Sequence, residues 1–125
     1  MSRDWSWYLE DIAGCCEKIL RYTDGMNFDS FVKNEQAFDA VIRNLEIIGE
    51  AAKQLPATAQ AMMPEIEWGM AAKFRDVIAH HYFGLDNQIV WDVVRNKVPA
   101  IFEASTSLLQ RLQNEKPTGE IDDFQ

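Results

Sequence analysis

Apolar residues recur at three- and four-residue steps along nearly the whole chain, which is the period of an amphipathic helix and not of a strand. Trp5, Tyr8, Leu9, Ile12, Cys15, Cys16, Ile19 and Leu20 form the first stripe, and Asp24-Gly25 closes it with a turn signal. Phe28 to Lys33 adds a short helical stretch, and Asn34 is placed to cap the segment that follows. In that segment Phe38, Val41, Leu45, Ile48, Ala52 and Leu55 make one apolar stripe, whereas Arg43, Glu46, Ile47, Glu50 and Gln54 share a second, charged face. From the pattern alone the second face reads as solvated surface.

Pro56 and Pro64 bracket a connection that contains Met62 and Met63, and a third helix is expected from Ile66 to His80. Gly49 and Gly69 lie inside helical segments, where glycine is unfavourable by about 1 kcal/mol relative to alanine. Each either permits close approach of a neighbouring helix or is simply tolerated. Phe83-Gly84 ends the third helix, and Asp86 is positioned to cap a fourth running from about Asn87 to Gln113. Pro99 has no N–H to donate, so this helix should kink or break near Val98. The pattern predicts an all-α chain, an antiparallel bundle of four to five helices in one domain, 1–113. Residues 114–125 turn to Pro, Thr, Gly and acids and read as a mobile acidic tail.

Composition agrees with that class. A chain of 125 residues, 47% hydrophobic, is long enough to bury roughly two-thirds of its unfolded surface around one core. The only cysteines, Cys15 and Cys16, are neighbours on an apolar stripe; they cannot cross-link distant segments, and they suit a reducing compartment. Met1 to Asp4 leads into Trp5 without a basic region and apolar run, and no stretch of about 18 apolar residues occurs, so a cytoplasmic protein with no membrane contact is expected. Two adjacent histidines and two adjacent cysteines do not provide a zinc set, and no Glu-x-x-His, glycine-rich phosphate loop or G-x-S-x-G elbow is present. No metal and no cofactor is therefore expected.

One stretch carries chemistry. Arg75-Asp76-Val77-Ile78-Ala79-His80-His81-Tyr82 places both histidines beside an arginine and a tyrosine at the end of an apolar helical segment. A guanidinium grips phosphate through a planar fork, and an imidazole gives or takes protons near neutrality, so the pair suits metal-free phosphodiester cleavage. At about 100° per residue Asp76 and His80 share a helix face, which lets the carboxylate orient the imidazole. Arg75 and His80 are about 140° apart and do not share a face. The length of arginine, an early helix end or a second copy of the chain would each bring them together. The plainer reading is a surface ion pair between Asp76 and His80, with His81 and Tyr82 closing a helix.

The string R-x-x-x-x-H-x-Y resembles the signature of HEPN-domain ribonuclease toxins of the HepT type. The likeness covers roughly residues 5 to 112, with matching blocks at Arg43 to Lys53, at Trp68 and Arg75 to Phe83, and at Ile89 to Pro99. It implies a HEPN-like bundle that dimerises so that two copies of Arg75 and His80 face one cleft, beside the charged face that contains Glu50. It further implies RNA cleavage without metal, with Arg75 and His80 as catalytic residues, Asp76 and His81 in support, and DNA not a substrate. In HepT-type systems a minimal nucleotidyltransferase antitoxin, of the MntA type, transfers AMP from ATP to the motif tyrosine, which here is Tyr82. A bulky anion two residues from His80 would occupy the RNA site and neutralise Arg75. The alternative is a HEPN module that binds nucleotide, or supports a nucleotidyltransferase, without cleaving.

Net charge opposes a polyanion substrate. Twelve basic and twenty acidic residues give −8. Residues 43–97 carry six basic and seven acidic side chains and so net only −1; the rest of the chain accounts for −7. The acidity lies mostly away from the motif.

Overall fold

In the computed structural model, which describes residues 5–115, the helical periods of the sequence become seven α-helices, four of them long. Helix α1 (Trp5–Tyr22) buries Leu9, Ile12, Cys15, Cys16 and Ile19 along one stripe. Its end is set by Thr23, whose hydroxyl donates to the Ile19 carbonyl at 2.8 Å, and by Gly25, whose φ of 76° is a left-handed turn that glycine adopts without strain. Helix α2 (Phe28–Lys33) starts in a reciprocal cap between Asn27 and Ser30, and Asn34 then caps α3 (Glu35–Lys53) by accepting from the Ala37 N–H at 2.9 Å.

The Pro56–Pro64 connection contains a short helix that the hydrophobic pattern did not reveal, α4 (Ala57–Ala61), begun by Pro56. Helix α5 (Trp68–His81) begins two residues later than the pattern suggested. The amides of Ile66 and Trp68 donate to Met63 and Ile66, so the chain is still turning there. A 3₁₀ turn, Tyr82–Gly84, follows, and Asp86 caps α6 (Asn87–Asp92) by accepting from the Gln88 N–H at 2.8 Å.

The break expected at Pro99 is a π-helical turn, Val93–Lys97, after which α7 (Val98–Asn114) resumes with the proline in its first turn. Proline cannot donate to the carbonyl four residues back, and the Val98 N–H reaches instead to Val93, five residues back. The helix widens rather than stops. Helix α7 ends at Asn114, and residues 116–125 of the expected acidic tail lie outside the described residues.

In space the long helices lie in the order α5, α3, α1, α7, with α3 packed between α5 and α1. Phe31, fully buried, ties the short elements to this core by stacking near Phe38 of α3 at 5.5 Å and Trp91 of α6 at 4.9 Å. The buried polar side chains Asn44 and Ser105 donate to carbonyls one turn back, Ala40 and Ile101. Helix α5 is the least covered: of its fourteen residues only Trp68 and Ile78 are buried, and its main neighbour is α3.

The α3–α5 contact passes through Gly49. A Cβ at this position would overlap the Cβ of Arg75 and stand 2.9 Å from the Ala71 carbonyl oxygen, whereas a Cβ at Gly69 would meet nothing within 4 Å. Gly49 therefore permits a close approach and Gly69 is merely tolerated. Overfilling this contact should destabilise Gly49→Ala by about 1–3 kcal/mol, while Gly69→Ala should be neutral or gain up to about 1 kcal/mol. Urea unfolding of the two variants checks this, and equal midpoints would remove Gly49 as a packing constraint.

Candidate functional site

Arg75 occupies the side of α5 that faces α3, directly across from Gly49. Its Nε lies 2.9 Å from Glu50 Oε1, and its Nη1 donates to Asp76 Oδ1 at 3.3 Å. The same Asp76 oxygen accepts from Lys53 Nζ at 2.8 Å. Two cations and two carboxylates thus form one chain across the helices, Glu50–Arg75–Asp76–Lys53, whose formal charges cancel. The hydrogen bond from Lys53, followed by the one from Arg75, holds the Asp76 carboxyl below the usual aspartate range.

This arrangement corrects one expectation. Asp76 does share a face with His80 by count, but among the described residues no hydrogen bond or ion pair joins them; the carboxylate is turned to Lys53 and Arg75. A permanent cation across the helix pair outcompetes an imidazole on the same helix. His80 and His81 are both exposed near the end of α5.

Beside Arg75 an open groove of about 460 Å³ runs between α1 and α3. Arg43, Glu46, Ile47, Glu50 and Gln54 line it, so the second face of α3 is the wall of a concavity and not plain surface. Tyr8 and Asp11 of α1 form the opposite wall, a contribution the motif gave no reason to expect. His80 is absent from the lining. Helix α5 is continuous through His81, so the five-residue offset keeps its full rotation of about 140°, and no early helix end closes it.

Tyr82 is tied to the opposite end of the same helix pair. Its phenol donates to Asp39 Oδ1 at 2.7 Å, and this bond, with smaller contributions from desolvation and the charges of Asp39 and Glu35, raises its pKa above the ordinary value. Because Gly49 meets Ala71 while Asp39 meets Tyr82, α3 and α5 run antiparallel. Phe83 packs edge-on against Tyr82 at 5.1 Å and is otherwise 98% exposed.

The cysteines offer no nucleophile. Burial raises the Cys15 thiol and pushes that of Cys16 up to about 12, so neither is a thiolate near neutrality. Among the described residues no group of three or more His, Cys, Asp or Glu side chains is placed to hold a metal ion, and no helix is long and apolar enough to cross a membrane.

Against known proteins, a family model described as Ribonuclease HepT-like matches residues 12–108. The chain is 38% identical over 113 residues to a Methanocaldococcus jannaschii protein named "Putative RNase", spanning 90% of this chain and 93% of that one. It is 41% identical over 101 residues to "Probable ribonuclease HepT" of Thermococcus cleftensis, spanning 81% and 92%. A third relative, again named "Putative RNase", from Caldanaerobacter subterraneus, is 35% identical over 104 residues, spanning 83% and 93%. No solved structure matches the chain.

The tie between Tyr82 and Asp39 predicts a pH dependence. A bond that raises the phenol's pKa stabilises the folded chain fully below the ordinary tyrosine pKa, near 10, and is lost as pH rises through the higher folded value. Following the Tyr82 ring signals by NMR, Asp39→Ala should move its titration down toward that of a free tyrosine. An unchanged Tyr82 titration in the variant would mean that the bond is not made in solution.

Proposed function

The chain belongs to the HepT-like ribonuclease family, and we propose that it is a metal-independent endoribonuclease, the toxin of a type VII-like toxin–antitoxin system in the cytoplasm. The observation that carries the reading is that Arg75, the arginine of an intact R-x-x-x-x-H-x-Y string, lines an open groove. Of its five N–H groups one is given to Asp76, and, with Glu50 ion-paired at Nε, those facing the groove suit a phosphate. In the proposed reaction a base takes the proton of a ribose 2′-hydroxyl and the 2′-oxygen attacks the adjacent phosphorus. The bond to the 5′-oxygen breaks, and an acid protonates that oxygen as it leaves. The products are a 2′,3′-cyclic phosphate and a 5′-hydroxyl. Arg75 stabilises charge on the phosphoryl oxygens and His80 serves as base or acid. His81 lends at most a supporting contact.

One copy holds Arg75 in the groove and His80 outside it. The reading therefore places the working site between two copies, with the histidine of one serving alongside the arginine of the other. The thin cover of α5 supports this: Met70 and Val77 are 58% and 38% exposed on it, and Phe83 beyond its end is almost bare. Apolar surface of this kind is suited to a second copy. Tyr82 is the proposed acceptor of AMP from a minimal nucleotidyltransferase antitoxin. Its oxygen would bond to the α-phosphorus of ATP, pyrophosphate would leave, and the phenolic proton would be released.

A second reading has its own support. Arg75 is already paired with two carboxylates, and a single copy lacks His80 in its groove, as suits a HEPN module that binds nucleotide or a nucleotidyltransferase without cleaving.

The cleavage reading expects single-stranded RNA to be cut in the presence of EDTA and its 2′-deoxy counterpart to survive. Arg75→Ala and His80→Ala should each slow cleavage by about 10²-fold or more with helicity unchanged. Light scattering of the active material should report a dimer. Wild-type rates in both variants would leave the non-cleaving module as the reading, loss of activity with chelator would overturn the metal-free chemistry, and an active monomer would dispose of the shared site.

For the antitoxin, co-expression with a nucleotidyltransferase encoded beside this chain should add AMP to a peptide spanning Phe74 to Leu85, and Tyr82→Phe should abolish the addition while leaving the ribonuclease active. If mass spectrometry finds Tyr82 unmodified while the bound partner suppresses cleavage, the inhibition is steric and the acceptor assignment is wrong.

A further inference from the structure

Glu50 belongs to none of the roles above, yet it holds the shortest contact made by Arg75, 2.9 Å to Nε. We propose that Glu50 is a positioning residue that fixes the rotation of the Arg75 guanidinium, so that the N–H groups left over are held at the groove both residues line. The proposal rests on the ribonuclease reading of Arg75.

Arg75 is restrained at two points. Its Cβ is packed under Gly49, where even a methyl group has no room, and its head is ion-paired at Nε with Glu50, the next residue along α3. Between them the flexible stem of the arginine has its start and its end fixed. An unrestrained guanidinium would have to be ordered by the arriving phosphate; one already held is preorganised.

The pair is poorly placed to serve the fold instead. Glu50 is 55% exposed and Arg75 30% exposed at their side chains, and ion pairs so open to water contribute little to stability. Lys53, three residues further along α3, is bonded to Asp76. The carboxylate also works against phosphate binding by charge, so positioning and repulsion act in opposite directions. Their balance separates turnover from affinity.

The test uses the full chain, a fluorophore-labelled single-stranded RNA, and the variants Glu50→Ala, Glu50→Gln, Arg75→Ala and the double alanine variant. Glu50→Ala should lower kcat by about 10- to 100-fold, the scale of a misplaced catalytic group, with an unchanged unfolding midpoint. Glu50→Gln retains an oxygen acceptor without the charge; it should recover most of that loss and lower KM. The double variant should be no slower than Arg75→Ala alone. An undiminished kcat in Glu50→Ala overturns the proposal, and so does a double variant slowed by the full factor, since Glu50 would then act independently of Arg75. Wild-type cleavage by Arg75→Ala would sink the ribonuclease reading of Arg75 and this proposal with it. Independently of cleavage, the Arg75 Nε–H should be rigid by NMR relaxation in the wild type and in Glu50→Gln, and mobile in Glu50→Ala. A mobile wild-type signal overturns the proposal even in a chain that cuts no RNA.

Discussion

The approach of α5 to α3 at Gly49 is the contact on which the rest of the site depends. With no side chain at that point, the Ala71 carbonyl and the Cβ of Arg75 come close enough to α3 that any added carbon would collide with them. Once the helices are that near, the residues on either side have little freedom. Glu50 meets Arg75, Lys53 meets Asp76, and at the other end of the pair Asp39 meets Tyr82. The three residues of the chemical motif whose side chains make polar contacts, Arg75, Asp76 and Tyr82, each take a partner from α3. The contact is also why an open groove adjoins Arg75, since its wall is the face of α3 that turns past Gly49 toward α1.

The electrostatics of the site follow from that geometry. An acidic protein that handles RNA needs local cation where the phosphate sits, but here the two basic side chains at the crossing are matched by two acidic ones. What the arrangement supplies is therefore direction more than charge: a guanidinium with one donor given to Asp76, its Nε beside Glu50 and its other donors left free. Arg43 in the same groove adds a cation for which no acidic partner is recorded among the described residues. Binding of this kind is expected to be weak in general attraction and strongly dependent on salt.

Helix α5 is held on one side only, and this links stability to function. A helix with two buried residues in fourteen is fixed by Trp68 and Ile78, by Ala71 and Phe74 packed against the core, and by the close approach at Gly49. The exposed Met70, Val77 and Phe83 are the counterpart of that thin cover. The site-bearing element is thus the one least satisfied by its own chain, as befits a helix proposed to be completed by a second copy. The contrast with α1 and α3, whose stripes close on each other in the core, is plain in the burial of Leu9, Ile12, Val41 and Ile48.

Local chemistry made much of this legible in advance. The 3.6-residue period, the caps at Asn34 and Asp86, the turn at Gly25 and the lost donor of Pro99 are all effects within one or two helical turns, so the chain declares them residue by residue. The motif was legible for the same reason, as eight residues on one segment. Tertiary structure alone decided that Asp76 turns from His80 to Lys53, that Glu50 pairs with Arg75, that Asp39 receives the phenol of Tyr82 and that Tyr8 walls the groove. Each of these joins residues on different helices, and their pairing depends on how the helices are rotated and how closely they approach. Sequence spacing carries angles around one helix axis; it does not carry the distance between two.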